Sequence, residues 1–162
     1  EKINALRKPQ INWVNFLDED FVRAQLSKLN KNTKPIFGSM NAQQMIEHLS
    51  DVTQIANGNW NVDVFVSDTK AARRKPFLET KNELQIGFKA SFLAEEPDKL
   101  KFSSIEESIN DLIKQIEIFT TVFLEDKNRT VVHPFFGELD FEYWKKFQVK
   151  HFTHHFKQFN LV

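Results

Sequence analysis

Three of the five histidines in this chain crowd into one window, Lys150-His151-Phe152-Thr153-His154-His155-Phe156-Lys157-Gln158. Imidazole binds metals and carries protons near neutral pH, so the spacing of these rings decides what they can do together. On a helix, His155 projects about 40° from His151 and about 6 Å along the axis. Side chains four residues apart are neighbours, and two imidazoles so placed can converge on one ion. His154 projects about 60° to the other side of His151, toward another helix or solvent. The arc of His151 and His155 also holds Trp144, Phe147 and Phe159, which makes it the interior side of the helix. An imidazole pair facing inward is costly to charge and needs polar partners or a metal.

His48 stands in a similar position on an earlier helix, within about 60° of Met45, Val52 and Ile55. Helical bundles build metal sites from inward side chains on facing helices. His48 with the pair His151 and His155 would supply three neutral nitrogens, each about 2.0–2.1 Å from a zinc-sized ion, with one or more positions left open. An open position distinguishes a catalytic site from a structural one. Plainer readings stand beside this one. A His on an apolar face also serves as a core residue bonded to a carbonyl, and an i, i+4 pair also arises in a His-rich surface patch. Spacing alone does not make the two helices face each other. The chain has no Cys, which excludes a disulfide scaffold, a cysteine nucleophile and thiolate ligands, so histidine must carry any metal chemistry.

The elements that must position these residues are helical. Phe21, Val22, Leu26 and Leu29 form one face of a helix over about Asp18 to Leu29, stopped by the Asn30-Lys31-Asn32-Thr33-Lys34-Pro35 cluster. A second helix is capped by Asn41, with Gln44 placed to complete a capping box, and Gly58 stops it. Ser104 with Glu107 repeats the capping pattern before Ile105, Ile109, Leu112, Ile116, Phe119 and Phe123, a stripe at three- and four-residue steps. The last helix runs from about Asp140, its cap, to Phe159. Residues 60–100 read as an irregular excursion: 61–66 alternates like a short strand, and Lys70 to Lys75 can begin a helix. Residues 131–138 read as a compact loop. Four amphipathic helices with a long crossover between the second and third describe an all-α four-helix bundle, one domain spanning 1–162.

Composition agrees. The 162 residues are 41% hydrophobic and 27% charged, in the range of a globular domain with a real core. Seventeen Phe against one Tyr predicts rings filling the interior. With 4 Gly and 5 Pro, a turn-rich sheet fold is disfavoured. Lys plus Arg (22) equals Asp plus Glu (22), which gives no electrostatic reason to expect nucleic acid or an anionic membrane as partner. No apolar run approaches a membrane span, and the first 20 residues lack the apolar stretch of a signal peptide, so a cytoplasmic location is the expectation.

Three segments together carry a resemblance. Phe37-Gly38-Ser39-Met40-Asn41-Ala42-Gln43-Gln44-Met45-Ile46-Glu47-His48 resembles the helix-two motif of the DinB/YfiT-like metalloprotein superfamily, a string of the form W-G-x-M-x-x-x-Q-M-x-x-H that ends in a metal-binding His. His151-Phe152-Thr153-His154-His155-Phe156-Lys157-Gln158 resembles that superfamily's last-helix motif, H-x-x-x-H-x-x-Q. His133-Pro134-Phe135-Phe136-Gly137-Glu138-Leu139 is similar to the H-P-x-F-G-x-L loop of one of its subfamilies. The resemblance spans about Asp18 to Phe159. It implies an antiparallel four-helix bundle with His48, His151 and His155 as metal ligands, and a fold in which such bundles often pair, making a homodimer the assembly to look for. Phe37 replaces the usual Trp. Phe156-Lys157 stands where many relatives have Arg-Gly, so no substrate role of that Arg transfers here.

Characterised members of that superfamily include transferases and isomerases that use low-molecular-weight thiols, while others are known only as metal-binding proteins, so fold and metal carry over better than reaction. The expected function is therefore a divalent-metal-dependent enzyme, with Zn or Ni as the ion, activating water or a diffusible thiol toward a small-molecule substrate. The alternative is a non-catalytic bundle that binds a metal or an apolar ligand. Around the metal, Gln158 can orient a ligand His, and His154, His133 and Gln44 are further pocket candidates. His133 is expected to fix the turn before Pro134 by bonding a backbone carbonyl, or else to touch substrate. Asp51 reads as a solvated or interhelical polar residue, and Glu47, Lys145 and Lys146 as exposed faces.

Overall fold

A computed structural model describes residues 10–60, 67–86 and 99–162. Among them are five α-helices, one 3-10 helix and a two-stranded hairpin: α1 (Glu19–Leu26), α2 (Ala42–Ala56), α3 (Asp68–Arg74), the 3-10 helix Lys75–Glu79, α4 (Ile105–Glu125), β1 (Val131–His133), β2 (Gly137–Leu139) and α5 (Phe141–Gln158). The arrangement is all-α in its framework, with five helices where four were expected. The most extensive packing joins α2 to α4; α1 also lies on α4, and α5 packs on α2.

The helix ends follow local chemistry. At the start of α2, Asn41 Oδ1 accepts from the Gln44 amide while Gln44 Oε1 accepts from the Asn41 amide, each at 2.8 Å. At its end Gly58 takes φ +79°, its amide bonds Ile55 O and the Asn59 amide bonds Gln54 O, the pairing of a Schellman stop. Ser104 caps α4 through the Glu107 amide, but the Glu107 carboxylate turns back to Ser103 rather than to Ser104. Asp140 caps α5 through the Tyr143 amide at 3.0 Å. Helix α1 closes at Leu26, short of Leu29, because Ser27 Oγ takes up Arg23 O and the next amides form tighter turns; Leu29 is still buried.

The crossover between α2 and α4 contains α3 and the 3-10 helix, so the helix expected from Lys70 is present. The strand-like alternation over 61–66 lies outside the described residues. Residues 131–139 correct the loop expectation: they form an antiparallel hairpin, with Val131 opposite Leu139 and His133 opposite Gly137. The core lies among α2, α4, α5 and the chain entering α1. It is rich in Phe as expected, with Phe16 stacked on Phe152 (5.3 Å) and edge-on to Phe119 (5.5 Å). No helix among the described residues is long and apolar enough to cross a membrane.

Candidate metal centre

The side-chain nitrogens of His48, His151 and His155 gather within 4.8 Å of one another, from α2 and from two successive turns of α5. His151 Nε2 stands 3.0 Å from His48 Nε2 and 3.1 Å from His155 Nε2. The three rings lie 4.7–4.9 Å apart between centroids and nearly perpendicular to each other, so they form a ring of edges around one point. Facing apolar stripes bring them there: Met45, Leu49, Val52 and Ile55 on α2, and Trp144, Phe147 and Phe152 on α5 with Phe159 at its C-cap, are all buried.

Hydrogen bonding fixes one member. Gln158 Nε2 donates to Phe37 O at 3.0 Å, which turns Gln158 Oε1 toward His155 Nδ1 at 2.7 Å. An amide oxygen only accepts, so His155 carries its proton on Nδ1 and presents a bare Nε2 to the cluster. The close approach of Gln158 to the chain before α2 depends on Gly38. A Cβ there would meet Gln158 Nε2 at 2.7 Å, and φ +79° already favours glycine. His151 is held by packing instead: Phe147 stacks on it with centroids 5.2 Å apart, and its buried Nδ1 has no hydrogen-bond partner among the described residues.

An imidazole nitrogen has one in-plane position, filled by a proton or a lone pair. His151 Nε2 can therefore satisfy one of its two close neighbours as donor or acceptor, not both. A cation on which three lone pairs converge would remove that conflict: His151 Nε2 stands 3.0 and 3.1 Å from its two neighbours and all three nitrogens lie within 4.8 Å of one another, near the spread of imidazole ligands around one zinc-sized ion. Electrostatics agree. Burial, followed by repulsion from His154, lowers the His48 pKa to about 4. Burial, then neighbouring imidazoles, holds His151 and His155 well below the ordinary range, against a smaller opposing effect of Gln158 on His155. All three are neutral at pH 7, the ligating form. His48 is the half-buried residue of the three, while His151 and His155 are each only 6% exposed.

The other candidates fall elsewhere. His154 turns out of the cluster, as its angle predicted; it bonds the Leu84 backbone and packs on Phe37 with centroids 5.2 Å apart. His133 fixes the hairpin turn, but with its polarity reversed from expectation: Nδ1 accepts from the Phe135 and Phe136 amides at 3.0 and 3.2 Å, rather than donating to a carbonyl. It packs 4.2 Å from Phe147, and so buttresses the ring that stacks on His151. The Gln44 oxygen serves the α2 cap. Glu47 is buried rather than exposed, because the chain leading into α4 covers that side of α2; it accepts from the Lys101 amide (2.5 Å), Gln43 Nε2 (3.0 Å) and Ser108 Oγ (3.1 Å). Asp51 is buried on α2 and pairs with Lys101 in the chain leading into α4. Lys145 and Lys146 are half-exposed and pair with Glu142 and Glu79. The residues that sequence reading passed over are Gly38, whose signal was only its place in a motif, and Phe147, read as core without its stack on His151.

Residues 94–161 match a family model. It describes a protein of unknown function (DUF1569) and does not itself carry the DinB/YfiT-like name. The matched stretch includes His151 and His155 but not His48, so the α2 half of the cluster lies outside it. No curated protein and no solved structure matches the chain. What the chain shares with the expectation from resemblance is the coarser property: a helical framework carrying three clustered histidines.

Proposed function

We propose that this protein is a divalent-metal-dependent enzyme whose ion is held by Nε2 of His48, His151 and His155. The observation that carries the reading is the double contact of His151 Nε2, which two neighbouring imidazoles approach at once and which a shared cation would satisfy. A bound Zn²⁺ or Ni²⁺ supplies Lewis acidity toward a water or a thiol. The rest is the work of the chain. Gln158 holds the His155 tautomer and Phe147 holds the His151 plane, while His48 is the most exposed of the three residues. Because the chain has no Cys, a sulfur nucleophile must come from a diffusible low-molecular-weight thiol. The DinB/YfiT-like motifs support this assignment of the histidines, and no acid or base of another kind joins the cluster among the described residues.

The test is elemental analysis of protein loaded with Zn²⁺ or Ni²⁺ and then desalted, followed by hydrolysis and thiol-transfer assays with and without the ion. About one ion per chain and metal-dependent turnover are expected. Unchanged metal content in His155→Ala refutes the site. Tight stoichiometric binding with no turnover in either assay reduces the protein to a metal-binding bundle.

A further inference from the structure

Helix α5 carries unspent chemistry on a second face. Lys150 precedes His151 and therefore projects about 100° away from it, into the wall of a cleft that none of the five histidines lines. The cleft has a volume of about 640 Å³, inside the range of small-molecule sites. It is bounded by residues 13–17, by 78–81 at the exit of the 3-10 helix, and by residues 145–150 of α5. The first wall is tied to α5 by the Val14 amide, which donates to Thr153 Oγ at 2.9 Å. Trp13, Val14, Leu17, Leu78 and Val149 make the surface mostly apolar.

The charge around that surface is one-sided. Lys81, Lys145, Lys146 and Lys150 line the cleft against the single carboxylate of Glu79. Glu79 is already engaged by the Tyr143 hydroxyl at 2.8 Å and by Lys146 at 3.3 Å. Lys150 is the telling residue. It is only 4% exposed, and its ammonium donates to Thr80 O (2.8 Å) and to Asn82 O, with the rings of Trp13 and Phe77 at 5.1 and 4.8 Å. Burial lowers the Lys150 pKa, with Glu83 opposing, and two carbonyls and two ring faces surround the ammonium. Yet Lys150 has no carboxylate at ion-pair distance among the described residues, since Glu83 pairs with Lys157. An ammonium has three donors, and two are accounted for. A buried cation that has no ion-paired carboxylate among the described residues, with Glu83 acting on it only from beyond ion-pair distance, is complemented beside an apolar cleft by an apolar molecule bearing one negative charge.

We propose that this cleft binds a small amphipathic carboxylate, with its apolar body on Trp13, Leu17, Leu78 and Val149 and its carboxylate among Lys150, Lys81 and Lys146. A single carboxylate suits the site better than a multiply charged phosphate, because apolar side chains make up most of its wall. The site is independent of the histidine cluster.

Dodecanoate, dodecanol and dodecyltrimethylammonium, each below its micelle-forming concentration, serve as probes for the full chain. Trp13 lies in the wall, so its fluorescence reports occupancy, and calorimetry reports it independently. Dodecanoate should bind saturably, about tenfold or more tightly than either other probe. Trp13→Phe should abolish the fluorescence change while calorimetric binding persists. Lys150→Met should remove the preference for the anion. Because that lysine is buried, Lys81→Glu at the exposed rim provides a second reading and should weaken dodecanoate several-fold without weakening dodecanol. His155→Ala should bind dodecanoate as the parent does; loss of binding there would place the carboxylate at the histidines and overturn the proposal. Absent saturable binding, or equal affinity for dodecanoate and dodecanol, would overturn it as well.

Discussion

At the scale of single residues, the histidine cluster is organised through a glutamine. Gln158 reads the Phe37 carbonyl with its nitrogen and the His155 ring with its oxygen, so the chain entering α2 sets the tautomer of a residue on α5. Replacing a group that orients a ligand His costs about 10–100-fold in metal affinity in known sites. Gln158→Leu should therefore weaken Zn²⁺ binding by about that factor, measured by competition with a chromophoric chelator. Gly38→Ala should do the same through geometry, since its Cβ would meet Gln158 Nε2 at 2.7 Å. Unaltered affinity in both variants, with far-UV circular dichroism preserved, would show that the Gln158 bridge plays no part in binding.

At the scale of elements, the signals that sequence carried well were local ones. The caps at Asn41, Ser104 and Asp140 and the stripes behind them placed α2, α4 and α5 to within a residue or two of their ends. The hairpin escaped because two strands of three residues are too short for a period of two to show, and Gly137, which takes φ +80° with Ala71 packed where its Cβ would be, read only as part of a loop. Glu47 was misread because α2 is covered on more sides than one stripe implies. The hairpin makes its own prediction. His133 is buried, and burial lowers its pKa to about 3, whereas in the unfolded chain it titrates near 6.5. Between those values the unfolded state binds a proton that the fold does not, so stability falls as pH falls, by about 1.4 kcal/mol per unit for this one group. His133→Asn retains an acceptor near Nδ1 for the Phe135 and Phe136 amides but does not titrate. Urea unfolding at pH 7 and 5.5 should show a shallower loss for this variant than for the parent, by about 2 kcal/mol or less. Parallel losses would mean that His133 is charged in the fold.

At the scale of the whole molecule, the cluster joins elements that are far apart in the chain, which the resemblance implied and residue spacing alone could not display. The His151 and His155 pair was legible from an i, i+4 step, but its meeting with His48 depends on α2 and α5 packing together across the long crossover and α4. The same separation would make the proposed metal a clamp. An ion that needs nitrogens from both helices binds the folded chain and not the unfolded one, so it adds stability by mass action, about 2.7 kcal/mol at a free concentration 100 times Kd. For a chain of this size that corresponds to a rise in Tm of about 5–10 °C. His48→Ala tests the clamp, because it removes the α2 donor alone and comes from the half-buried, most forgiving position. Calorimetric scans with and without Zn²⁺ should show the rise in the parent and little or none in His48→Ala, while the metal-free melting temperatures of the two stay close. An equal rise in both would mean that α5 holds the ion without α2, and that the two helices are joined by their apolar faces alone.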